Sequence, residues 1–208
     1  MNSFKTPLAL AAFALTLGAL STAAQAKPFD EQFIDSMTPH HQSALVMAQM
    51  AVSQARYPEV RALARGIIAD QKKEIAYMGQ LHRRFYPNSK DWPGMSGMNT
   101  SGMDHGSMGD MKMSGDKMMM PGTLMGLPMM GTMDMGRLRN ARGTMFDKMF
   151  LEMMIPHHAG AITMAQEALN VSGRPQIRTL AGKIIDAQAK EIGEMHAIHD
   201  RHFGHIKG

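Results

Sequence analysis

Cysteine is absent from the 208 residues, which removes disulfides, thiolate metal ligands, thiol nucleophiles and the usual iron–sulfur ligation. Aromatic residues are scarce. One Trp and three Tyr offer little surface for base stacking, and a formal charge of +4 is too small to draw in a phosphate backbone, so nucleic acid is not expected as a partner. The usual enzyme signatures are missing as well: there is no His-Glu-x-x-His, no phosphate loop and no Gly-x-Ser-x-Gly nucleophile elbow. A di-iron carboxylate bundle would need Glu-x-x-His pairs, and neither Glu74 nor Glu191 has a histidine three residues on. Long apolar runs are confined to the start, where Met1-Asn2-Ser3-Phe4-Lys5 precedes an apolar stretch from Leu8 to Leu20 and then Ala24-Gln25-Ala26. That order fits a secretory signal over residues 1–26 with a small-residue cleavage site. Its removal would leave 182 residues from Lys27 and, with Lys5 gone, a charge of +3. No later stretch approaches the roughly 18 uncharged apolar residues of a membrane span. The expectation is an exported protein of the bacterial periplasm, with no membrane span in the mature chain.

Methionine is what the chain has in excess: 25 of 208 residues. Gap-filling in a core explains a few, because the thioether is flexible and polarisable, but it does not explain where most of them sit. Residues 29–85 and 146–202 align without a gap at an offset of 117, with 25 identities in 57 positions. Internal repetition of this kind predicts a duplicated structural unit. In the first copy Val60, Leu63, Ile67, Ile68, Ile75, Met78 and Leu81 recur at helical spacing. Pro58 and Pro175 stand where helices would begin, a position at which the missing N–H needs no partner. Pro39 and Pro156 fall inside an earlier apolar-periodic segment, which is therefore expected to be a kinked helix or else two shorter helices meeting at the proline, with the kink favoured. A hairpin of this size cannot bury its apolar stripes alone. The expected fold is therefore all-α, a four-helix bundle of two duplicated helical hairpins with approximate two-fold symmetry.

The expected organisation is a signal peptide over 1–26, a first hairpin over 27–87, a flexible Met/Gly-rich linker over 88–142, and a second hairpin with a His-rich end over 143–208. The linker carries 14 methionines from Met95 to Met135 among Gly, Ser, Asp and Pro, with no sustained helical period, and is expected to be disordered without a ligand.

Thioethers are soft, neutral donors suited to Cu(I), and they keep their ligating form as pH falls. In the linker, Met95-x-x-Met98, Met103-x-His105-x-x-Met108 and Met108-x-x-Met111-x-Met113 would each let a flexible backbone wrap two or three donors round one ion. The competing reading is a low-complexity tether or a pool of methionines consumed by oxidants. Inside the repeats Met37, His40, His41 and Met47 are matched by Met154, His157, His158 and Met164. At about 100° per residue His40 and Met47 share a helix face, whereas His41 turns away unless the proline shifts the phase. The next helix places Gln71, Glu74, Met78 and His82 on its apolar stripe, repeated as Gln188, Glu191, Met195 and His199. Polar groups on a core stripe are costly unless paired, which leaves interhelical hydrogen bonding, a metal site or an exposed cleft as explanations. His196, His199, His202 and His205 form a row spaced by three that could take Cu(II), Zn or Ni, or could be a solvated helix end.

The string Phe-Asp-x-x-Phe-(Ile/Leu)-(Asp/Glu)-x-Met-x-Pro-His-His, with Met-Ala-Gln seven residues past the first histidine and Ile-Ile…Gln-x-Lys-Glu-Ile…Met closing the unit, resembles domain-of-unknown-function family 305. The resemblance covers both repeats, about 115 residues. It implies an exported, ferritin-like four-helix protein, and some members are periplasmic copper-binding proteins of the CopM type. Ligands implied in this way are Met37, His40, His41, Met47 and Met78, with Met154, His157, His158, Met164 and Met195. The linker lies outside that family and resembles the methionine-rich stretches of periplasmic copper-resistance proteins.

Together these readings predict a non-enzymatic copper-binding protein that sequesters or delivers Cu(I), with Cu(II) or Ag(I) as further ions. A periplasmic copper exporter or oxidase would be its partner, and each folded site would draw mainly on its own hairpin. The rivals are a copper-dependent oxidase and a structural bundle whose methionines buffer oxidants.

Overall fold

The computed structural model describes residues 27–89 and 135–206, together with the backbone of four two-residue strands between them. Helix α1 is Phe29–Gln54, α2 Pro58–Phe85, α3 Met135–Asn140, α4 Gly143–Val171 and α5 Pro175–Phe203. The strands pair antiparallel as Lys117–Met118 with Met133–Asp134 and Thr123–Leu124 with Leu127–Pro128. The expected signal segment lies outside the described residues, as do Met95, Met98, Met103, His105, Met108, Met111 and Met113 of the linker.

The four long helices make an all-α bundle in which α1 packs on α2 and α4, and α5 packs on α4 and α2. Pro58 and Pro175 open α2 and α5. Pro39 and Pro156 lie within single helices, not at junctions between two. Proline has no N–H, so the carbonyls of Asp35 and Glu152, four residues earlier, lose their intrahelical donor. The helices continue because both sides of each proline are tied into the core: Phe33, Ile34 and Met37 precede Pro39, and Ala44, Met47 and Ala48 follow it, all fully buried. Helix α3 sits inside the stretch read as linker. Met135 and Leu138 bury there against the same apolar cluster as Phe146 and Phe150, so the folded body begins before residue 143.

The halves grip each other at their ends. Asp147, near the start of α4, is fully buried, and its carboxylate accepts the backbone N–H groups of Arg56 (2.9 Å) and Tyr57 (2.8 Å) in the α1–α2 turn. Its counterpart at the 117 offset, Asp30, reaches the α4–α5 turn and pairs with Arg174 Nε at 3.1 Å. Each helical pair therefore pins the turn of the other, which sets α1 and α4 antiparallel and brings their mid-points together.

Candidate metal site in the bundle core

Those mid-points carry the consecutive histidines. His40, His41, His157 and His158 are all buried, His41 and His158 completely. His41 turns to a different face from His40, as its helical phase requires, yet that face is buried too, for a geometric reason. Adjacent residues on a helix point about 100° apart. In a square bundle the two neighbours of any helix lie at nearly that angle, so a His-His pair addresses both. His40 faces α4 and lies on His157, with ring centroids 3.8 Å apart and planes inclined at 38°. His41 faces α2, where its Nε2 is 2.7 Å from Glu74 Oε2. His158 repeats this towards α5, its Nε2 2.7 Å from Glu191 Oε2.

Burial, reinforced by the neighbouring imidazoles, holds His40 and His157 well below the usual histidine range, so both are neutral at neutral pH. Only the neutral ring offers a nitrogen lone pair to a metal. Around them the layer is unusually short of partners. The Nδ1 atoms of all four histidines are buried with no hydrogen bond, as are both side-chain amide atoms of Gln71 and of Gln188. A buried polar group without a partner costs about 1–3 kcal/mol. Eight such atoms in one layer therefore mark a place whose chemistry is not that of simple core packing. Burial of this set also removes the exposed cleft as an explanation for the polar stripes on α2 and α5.

Methionines flank the layer, and they are shared between the halves. Met37 and Met78 lie in one apolar cluster with Met164, whereas Met154 and Met195 lie in the other with Met47. Antiparallel α1 and α4 bring the end of one copy's first helix beside the start of the other's, so each cluster holds methionines of both hairpins. All six thioethers are almost completely buried. Thr38 Oγ1 stands 3.7 Å from Met78 Sδ while giving its proton to the Ile34 carbonyl at 2.8 Å.

His82 and His199 are buried at opposite ends of the bundle and are not brought to the central layer. His82 meets Asp35 at 3.6 Å and His199 meets Glu152 at 3.5 Å. Burial lowers the His82 pKa, against the pull of Asp35 and Glu31. Glu31, Asp35 and His82 form the one group of three imidazole or carboxylate donors, among the described residues, whose ligand atoms lie within 4.8 Å of one another. Sequence reasoning does not single out Glu31 or Asp35. Their i, i+4 spacing on α1 is the available signal, but nothing local places His82 beside them. Lys27 Nζ already sits on Asp35 at 2.7 Å and Glu31 at 3.5 Å, and Ser89 Oγ donates to Glu31 at 2.6 Å, so this charge is met within the protein.

The C-terminal histidine row does not form. A step of three rotates each successive residue by about 60°, so the row spirals away. His199 Nδ1 donates to the Gly204 carbonyl at 2.8 Å, His202 stacks on Tyr57 and bonds Glu59, and His205, past the end of α5, meets Asp200 at 2.9 Å. Ser43 escapes sequence reasoning altogether. Its hydroxyl donates to the His40 carbonyl at 2.6 Å and lies 2.7 Å from His157 Nε2, a contact across 114 residues that no sequence pattern announces.

No helix among the described residues is long and apolar enough to cross a membrane. The fold is similar to that of CopM in its Cu(I)-bound form, with 30% identity and a TM-score of 0.62 over 86% of this chain and all of that one. The Cu(II)-bound form of CopM matches at 34% identity and a TM-score of 0.60, covering 83% of this chain and 96% of that one. A DUF305 protein from Streptomyces coelicolor matches at 25% identity and a TM-score of 0.63, over 86% of this chain and 96% of that one. Among curated proteins, L153 of Acanthamoeba polyphaga mimivirus is 48% identical over 54 residues, which is 26% of this chain and about a third (36%) of that relative. The family model described as a domain of unknown function, DUF305, matches residues 12–82 and 30–199. With the second match alone spanning most of the chain, and with CopM covered from end to end at 30% identity, the protein belongs to the DUF305 family.

Proposed function

We propose that the protein binds copper, preferring Cu(I) and accepting Ag(I), and that it sequesters or passes on the ion in the periplasm without chemically transforming it. The observation that carries this reading is the buried layer in which four histidine Nδ1 atoms and two glutamine amides lack partners between two methionine-bearing apolar clusters. The donors fit a soft monovalent ion. Among the described residues no three imidazoles or carboxylates of the layer converge within 4.8 Å, so an ion there takes few nitrogen or oxygen donors and completes its shell with thioether sulfur. Low coordination by imidazole and thioether suits Cu(I) and Ag(I) better than a hard cation, which wants several oxygens. CopM, to which the fold is similar, was solved with Cu(I), Cu(II) and Ag bound. In this reading the ligands are drawn from His40, His41, His157, His158 and the six flanking methionines, while the linker methionines with His105 capture ions and feed them inward. A periplasmic copper exporter or oxidase would receive them.

The test is anaerobic titration of the full chain with Cu(I) against a chromophoric chelator. A variant carrying Ala at positions 40, 41, 157 and 158 should lose the tightest class of sites, and a peptide of residues 92–136 should retain weaker binding by itself. A parent protein that leaves all copper with the chelator would refute the reading. Steady O₂ consumption with Cu(I) as substrate would replace it with an oxidase.

A further inference from the structure

The hydrogen bonds of the core histidines determine which nitrogen each can offer. Glu74 and Glu191 present carboxylate oxygens to Nε2 of His41 and His158 at 2.7 Å, and a carboxylate accepts, so both Nε2 atoms carry the proton. Their Nδ1 atoms are buried without a partner. A proton on either would be a buried donor with nothing to receive it, so each Nδ1 bears the lone pair. The same logic reaches His157 through Ser43. The Ser43 hydroxyl has one proton, and its 2.6 Å contact with the His40 carbonyl consumes it because a carbonyl cannot donate. Ser43 Oγ therefore accepts from His157 Nε2 at 2.7 Å, leaving Nδ1 of His157 as the unprotonated atom, again buried and unpartnered. At the position related to Ser43 stands Gly160, which supplies no hydroxyl for His40.

Deepening the copper reading and resting on it, we propose that Glu74, Glu191 and Ser43 are positioning residues that lock His41, His158 and His157 as Nε2–H tautomers, so that each of these histidines offers Nδ1 as its donor to a soft ion. A ligating histidine that hands its other N–H to a carboxylate is a recurrent device: the partner fixes the ring and raises the basicity of the donor nitrogen. Here it is built twice with carboxylates and once with a hydroxyl. His40 is the one core histidine for which Gly160 leaves the matching support out.

Long-range proton–nitrogen correlation on ¹⁵N-histidine protein reads the tautomers directly. The metal-free chain should show protonated Nε2 and unprotonated Nδ1 for His41, His157 and His158. Stoichiometric Ag(I), an NMR-active probe, should then move their Nδ1 resonances and leave Nε2 in place. Glu74→Ala should lower Cu(I) affinity at the His41 site roughly 10- to 100-fold and release the ring into a tautomer mixture, while Glu74→Gln, which keeps an acceptor oxygen, should restore most of both. A merely structural Glu74 would leave the tautomer unmoved. Protonated Nδ1 in the metal-free chain would overturn the proposal. So would Ag(I) that is retained without shifting any of the three Nδ1 atoms, an outcome that leaves the copper reading standing. Failure to retain Cu(I) or Ag(I) at all would overturn both.

Discussion

The two halves of the bundle agree at its centre and diverge at its ends. At the centre His41–Glu74 and His158–Glu191 have the same atoms at the same 2.7 Å. At the ends one half seats Glu31, Asp35 and His82 round Lys27, whereas the other has Lys148 at the position of Glu31 and leaves Glu152 paired to that lysine at 3.8 Å and to His199. Asp147 holds two backbone N–H groups while Asp30 holds a half-exposed arginine. Packing tolerates either solution at an end. A central layer with eight unpartnered polar atoms does not follow from packing at all, so its repetition points to a chemical requirement that both halves share.

The largest effect should come from breaking the end contact that is buried. Asp147→Ala removes two charge-assisted hydrogen bonds and strands two backbone donors, and should destabilise by about 3–4 kcal/mol. Asp30→Ala, which loses a partly exposed ion pair, should cost at most about 1 kcal/mol. Urea unfolding of the two variants checks this, and equal losses would show that the ends are equivalent after all.

A smaller effect separates centre from ends by pH. The His40 and His157 pKa values are lowered in the folded state, so the unfolded chain takes up protons first. Stability should therefore be full above the unfolded value of about 6.5 and fall as pH drops below it towards the folded values. Thermal unfolding of metal-free protein at pH 7.5, 6 and 5 should show a declining midpoint, with a shallower decline when residues 40 and 157 are both replaced by Gln. A profile that is flat over that range, or unchanged in the double variant, would mean that these rings are not buried neutral.

The smallest effect tests the one central asymmetry. Ser43→Gly makes the first half resemble the second at Gly160, removing both hydrogen bonds of the Ser43 hydroxyl and adding a glycine to α1, for a loss of roughly 2–3 kcal/mol. His157 should become the only core histidine whose tautomer changes. A change at His41 as well would show that the layer responds as a single network.

Helical periodicity, the prolines at α2 and α5 and the repeat at an offset of 117 make the four-helix bundle legible in the chain itself, because period and helix starts are local properties. The same repeat marks His40, His41, Glu74 and their counterparts as a matched set. Three things lie beyond it. One is the inward aim of His41, which depends on α1 having two neighbours nearly at right angles. Another is the exchange of methionines between halves, which depends on α1 and α4 being antiparallel. The last is the tautomer lock, which depends on Ser43 meeting His157 across 114 residues. Residue type and helical phase determine which donors exist and which share a turn. Which donors meet is decided by the docking of one helical pair on the other, because ligand sets and hydrogen bonds act over about 3 Å, a range that only tertiary packing can set.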